Sequence, residues 1–130
     1  MGVVAIASHC AEIKILYLNN TKITDVSLQI IGKYGLKLEQ LHLEGCPNIT
    51  DAGIKSLVSC SASLLDLNLS GTKVMGDGIR HLAMYCPDFY LLNLDLTNCK
   101  NIACASVAAI ATHCPKIAKL NLQGTLVEEF

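Results

Sequence analysis

The sequence predicts an α/β solenoid: a horseshoe arc with a parallel β-sheet on its concave face and α-helices on its convex face, in about five repeats of 25–27 residues. Three observations predict it. An apolar pattern at helical spacing recurs five times, each copy is followed by a strand-like alternation of leucines, and each strand is followed at fixed distance by a Thr or a Cys. A strand–turn–helix unit of this length cannot bury its apolar face alone, whereas stacked units share one core.

The helices come first. Val3–Cys10 and Val107–Cys114 agree at six of eight positions. The anchors are Val3, Leu28, Ile54, Ile79 and Val107. Three residues on come Ile6, Ile31, Leu57, Leu82 and Ile110, and four on come Ala7, Gly32, Val58, Ala83 and Ala111. Seven on come Cys10, Gly35, Ser61, Cys86 and Cys114. This spacing is one face of a helix. Mostly small residues at the last two positions let each helix sit close to what it covers. Thr24-Asp25 and Thr50-Asp51 read as helix N-caps.

The strands follow. Repeat units begin near Ile13, Leu38, Leu64, Leu91 and Ile117, each reading L-x-x-L-x-L, and the first is preceded by a helix at 3–12. The last two apolar positions of each alternate as in a strand with one buried face. Around Phe89-Tyr90 the spacing is longer, which leaves Leu92 as an alternative to Leu91 in the fourth strand's core slots. The five units make 1–130 a single repeat domain. Strands stack at about 4.8 Å and helices at about 8–10 Å, so the sheet takes the inner side of the arc.

Three residues past the strands stand Thr21, Cys46, Thr72, Cys99 and Thr125. Thr and Cys share a small side-chain donor, suited to backbone carbonyls in the turn below the strand.

At this level the resemblance becomes specific. Leu38–Ile54, LEQLHLEGCPNITDAGI, resembles the cysteine-containing class of leucine-rich repeat residue for residue, and the pattern extends over essentially the whole chain. Met75-Gly76 and Ala103-Cys104 depart from it in place of Thr-Asp. The resemblance implies a leucine-rich repeat solenoid of the kind found in F-box proteins, which present substrates to cullin-type ubiquitin ligases through a Skp-type adaptor. No segment resembles an F-box, so contact with a Skp-type adaptor and cullin would run through sequence outside this chain. The other reading is a free-standing structural or adaptor protein of a larger assembly with no role in ubiquitin transfer.

Composition narrows the remaining classes. Ten Lys+Arg against eleven Asp+Glu offer no basic stripe for nucleic acid. The longest uncharged run, Asn101–Pro115, is too short and too polar to span a membrane. Seven Cys without a signal segment point to free thiols in a cytoplasmic or nuclear setting. No nucleophile–base–acid set can be assembled, so no enzyme is expected, and no cofactor. Neither end shows a polar capping repeat, and the expectation is that flanking sequence, self-association or a partner covers an end.

His9-Cys10 and His113-Cys114 look like metal ligands, but Cys10, Cys86 and Cys114 share a slot with Gly35 and Ser61, which calls for small volume. No metal site is expected, and helix spacing argues against a disulfide between neighbouring copies. Cys10, Cys46, Cys86, Cys99 and Cys114 are expected buried, and Cys60 and Cys104 accessible. Cys104 stands where Asp51 stands, at a helix N-terminus that favours a thiolate.

The chemistry is left to the concave strand positions. Tyr17, His42, Asn68, Asp95 and Asn121 form a middle column, with Asp66 and Glu44 in the columns beside it. Tyr17 is the aromatic anchor. Glu44, Asp66 and Asp95 place three carboxylates in the central repeats, without Lys or Arg among their neighbours there, and favour a protein partner with a basic segment.

Overall fold

The computed structural model describes residues 2–34, 37–58, 63–85 and 91–127. Gly35, Cys60, Ser61, Cys86 and Phe89-Tyr90 lie outside the described residues. Helices and strands alternate: α1 (Gly2–His9), β1 (Ile15–Tyr17), α2 (Asp25–Lys33), β2 (Gln40–His42), α3 (Asp51–Val58), β3 (Asp66–Asn68), α4 (Gly76–Tyr85), β4 (Asn93–Asp95), α5 (Cys104–His113) and β5 (Lys119–Asn121). The strands form one sheet in the order β1-β2-β3-β4-β5, and every pair is parallel. A parallel pair needs a crossover, and each helix supplies one. α1 closes at His9 because the chain turns at Ala11-Glu12 to enter β1.

The central strand residues Leu16, Leu41, Leu67, Leu94 and Leu120 stand in register across the sheet. They point to the helices, and all but Leu120 are buried. In the fourth repeat Leu91, Leu94 and Leu96 enter the core and Leu92 is exposed, which settles the choice of register. Leu28, Ile31, Ile54, Leu57, Ile79 and Leu82 close the core from the helix side. The outermost repeats are covered on one side only. Ile6 and Ile117, Leu120 and Leu122 are therefore only partly buried, and Ala111 is exposed.

One residue per repeat turns the chain after each strand with φ between 59 and 74°: Asn20, Gly45, Gly71, Asn98 and Gly124. This left-handed conformation is open to Gly at no cost and is tolerated by Asn. An Asn/Gly column is therefore legible in the sequence, two residues past each strand's last Leu.

The Thr/Cys column works through backbone carbonyls. The Thr21, Thr72 and Thr125 hydroxyls each donate to the carbonyl of their own repeat's last strand Leu at 2.7 Å. The Cys46 and Cys99 thiols reach back one repeat, to Leu18 O (3.0 Å) and Leu69 O (3.1 Å). Thr21 with Cys46 and Thr72 with Cys99 thus share one carbonyl each, which joins the repeats in pairs. Burial pushes the Cys99 thiol pKa up, although hydrogen bonds from the Thr72 side pull it down. A protonated thiol is the donor this bond requires.

The expected N-caps act differently. Thr24 precedes α2 in an extended conformation and makes no side-chain capping bond. The carboxylate beside it crosses to the next repeat instead. Asp25 accepts the Thr50 N–H at 2.8 Å and the Thr50 hydroxyl, and Asp51 accepts the Met75 N–H at 2.6 Å. A Cβ at Gly53 or Gly78 would overlap these same carboxylates, so the glycine at the third helical position of α3 and α4 leaves the space the preceding repeat's Asp occupies.

Candidate functional site

The helices cover one face of the sheet, and the other face is open. On it the middle column Tyr17–His42–Asn68–Asp95–Asn121 runs in strict register, as does Ile15–Gln40–Asp66–Asn93–Lys119 beside it. Strand pleating puts both columns opposite the buried leucines. Tyr17 is 64% exposed. His42, Asp66, Asn68 and Asp95 are half-buried, and Asn121 is exposed. Glu44 lies beyond the end of β2, exposed, with its backbone N–H held by Asn19 Oδ1 at 2.9 Å. The third column turns inward at Ser70, which is buried.

Several of these side chains are already held. The Tyr17 and His42 rings stack with centroids 4.4 Å apart and 18° between planes. His42 Nε2–H donates to Gln40 Oε1 at 3.3 Å. Asn68 Oδ1 accepts the Ser70 N–H at 2.9 Å, and Asp95 Oδ1 accepts both the Thr97 N–H (2.9 Å) and the Thr97 hydroxyl (2.6 Å). These are Asx-type turns, signalled in sequence by Asn-Leu-Ser and Asp-Leu-Thr. One oxygen of each side chain therefore serves the turn. What remains for a ligand is the Asn68 amide NH2 and Asp95 Oδ2.

The open face dips into a concavity of about 590 Å3 lined by polar side chains of His42, Asp66, Asn68, Asn93, Asp95, Lys119 and Asn121. Its polar walls come from the four adjacent strands β2 to β5, and Asn121 sits beside Asp95 in register. Lys119, from the fifth repeat, lines the same concavity as Asp66 and Asp95, because β5 pairs with β4 and sets Lys119 next to Asn93. Among the described residues Lys119 makes no ion pair with either carboxylate. Tyr17 and Glu44 lie outside the concavity's lining.

The helical face carries scattered charge. Arg80 pairs with Asp77 one turn away, and its hydrogen bond and charge hold that carboxyl below the usual range. Such a surface pair is weak.

Two cysteine readings are corrected. Cys10 is exposed, since it follows the end of α1, which packs against α2 on one side only. Cys114 is buried and disulfide-bonded, with its partner outside the described residues. Helix-axis spacing does not govern it, because Cys114 sits past the last turn of α5 at φ −116° and ψ 73°, where the chain leaves the axis. Cys46 and Cys99 are buried thiols, and Cys104 is a half-buried one. Cys60 and Cys86 lie outside the described residues. Among the described residues no three His, Cys, Asp or Glu are grouped to hold a metal ion, and no helix is long and apolar enough to cross a membrane.

The family model described as Leucine Rich repeat matches residues 36–58, the stretch that holds β2 and α3. Domains of that description bind protein partners. The matched stretch and the five-strand, five-helix alternation around it make the fold of this chain a leucine-rich repeat solenoid.

Proposed function

We propose that this chain recognises a protein partner through the open, concave face of its sheet, as the substrate-recognition repeats of an F-box-type ubiquitin-ligase receptor. The observation that carries the reading is the middle column. Tyr17, His42, Asn68, Asp95 and Asn121 stand in register on a rigid sheet, and the chemistry presented changes along it. Binding to such a grid orders few side chains. The cysteine-containing class is supported by Cys46 and Cys99, whose thiols make the cross-repeat bond that a Thr in that slot makes within its own repeat. The cytoplasmic or nuclear setting rests on the sequence reading: the thiols of Cys10, Cys46 and Cys99 suit it, and the disulfide at Cys114 counts against it.

The test is site-specific photo-crosslinking in cells. A photoreactive residue in place of His42 is expected to capture a discrete partner, and one in place of Met84, exposed on α4, is not. Capture from position 84 alone would put recognition on the helices. Co-purification of the full-length gene product with a Skp-type adaptor and a cullin tests the ubiquitin role. A concave partner without either would leave the free-standing scaffold.

A further inference from the structure

Resting on the concave-face reading, we propose that the concavity seats an arginine of the partner. Its guanidinium is clasped by Asp66 and Asp95 against the His42 ring, and the Asn68 amide holds a backbone carbonyl of the same extended segment.

The first argument is orientation. Internal hydrogen bonds fix which end of each side chain is available. Asn68 spends its oxygen on the Ser70 N–H and so offers a donor, and Asp95 spends Oδ1 on Thr97 and so offers Oδ2. A donor beside an acceptor, on adjacent strands, suits a carbonyl followed by a cationic side chain. The second argument is charge. The lining carries two carboxylates and one ammonium, and among the described residues these are not paired with each other. A cation entering there meets two half-buried carboxylates against one exposed ammonium, a net negative charge.

The third argument selects arginine over lysine. Asp66 pairs with Asn93, and Asp95 lies two residues further along the same strand. The carboxylates are therefore diagonal neighbours, their Cα atoms roughly 8 Å apart from a strand spacing of about 4.8 Å and a rise of about 3.3 Å per residue. An ammonium reaches both only where they converge on one point, whereas a planar fork of five N–H donors offers a separate N–H to each diagonal carboxylate. The ring completes the fit. Tyr17 stacks on the β1 side of His42, and the strand order turns the opposite imidazole face toward β3 and the concavity, where His42 forms a wall and Tyr17 does not. A guanidinium plane stacks on such a face.

The experiment uses a random linear peptide library displayed on phage and selected on the whole chain. Selected peptides are then measured on Asp66→Asn, Asp95→Asn, Asn68→Asp and Tyr17→Ala variants. Asp95→Asn and Asn68→Asp keep the oxygen that serves the turn, and circular dichroism checks that each variant folds. The expected result is arginine at one position of the selected peptides. Affinity then falls at least about tenfold when that arginine is made citrulline or lysine, or when Asp66 or Asp95 is made Asn. Asn68→Asp removes the amide donor but adds a third carboxylate, so arginine-dependent binding is expected to become more salt-dependent. Peptides that lose binding on Tyr17→Ala but tolerate citrulline or lysine would overturn the arginine seat and leave concave-face recognition standing. No binders, or binders indifferent to all four variants, would overturn both.

Discussion

The junctions α2–α3 and α3–α4 are each bridged by a carboxylate, and the junction α4–α5 is held another way. In the first two, Asp25 and Asp51 cross into the next repeat and fill the space left by Gly53 and Gly78. At the third, Gly76 stands in the carboxylate's slot and Ser106 in the glycine's, with the Ser106 hydroxyl oxygen 3.0 Å from where a Gly76 Cβ would be. Ser106 is 2% exposed, so its side chain occupies volume that the carboxylate fills elsewhere. The exchange teaches that Asp and the following repeat's Gly are one structural unit split across two repeats. The last junction keeps the β4–β5 backbone ladder that the other repeats share and the partly buried Ile117, Leu120 and Leu122, without that carboxylate bridge among the described residues.

The largest expected effect comes from opening the disulfide at Cys114, which follows the last turn of α5. Reduction is expected to cost about 2–4 kcal/mol of unfolding free energy, the usual contribution of a native disulfide. Urea melts with and without reductant measure it. Peptide mapping without reductant is expected to join Cys114 to Cys86, its counterpart in the preceding repeat's sequence pattern, rather than to Cys60. Cys114 recovered as a free thiol would remove the disulfide from the comparison.

Next comes the glycine. Gly53→Ala gains about 0.8–1.0 kcal/mol in helix propensity, yet the added methyl overlaps the Asp25 carboxylate and crowds Leu28. A net loss of about 1–3 kcal/mol is expected. Ser106→Ala, in the equivalent slot of α5, is expected to cost about 1 kcal/mol or less. Equal losses at the two positions would show that the slots do not differ as described.

A double-mutant cycle sharpens the same point. Gly76→Asp alone forces a carboxylate against Ser106 and destabilises. Paired with Ser106→Gly it can accept the Ala103 N–H, as Asp51 accepts that of Met75. The expected coupling is favourable by about 1–2 kcal/mol. Additive single effects would mean the bridge needs more than these two residues.

The smallest effect concerns Cys99, whose bond with Thr72 joins β3 to β4 on the strand side of the comparison. Its pKa is raised in the folded chain by burial, so the folded state holds the proton more tightly than the unfolded one. The stability it contributes is complete below the ordinary thiol pKa and is lost as pH rises through the raised value. Alkylation at increasing pH is expected to reach Cys10 and Cys104 well before Cys99, and a Cys99→Ser variant is expected to lose less stability at alkaline pH than the parent. Equal labelling rates would place Cys99 outside the core.

The repeat, the strand faces and the Thr/Cys slot were legible in the sequence because they follow from local periods. A strand alternates every second residue and a helix returns every third or fourth, so Leu41 and His42 had to face opposite ways whatever surrounded them. The middle column therefore follows from the alternation alone. What only the tertiary structure decided are contacts between residues about one repeat apart. Asp25 reads as a cap for its own helix, and it is the stacking of α3 beside α2 that brings Thr50 closer than α2's own amides. Asn68 and Asp95 read as free recognition groups, and the turn after each strand folds back to claim one oxygen of each. Cys10 and Cys114 occupy one sequence slot, but one lies at the uncovered side of α1 and the other is closed under α5. Periodicity assigns a residue to a face, and the distance between repeats assigns it a partner.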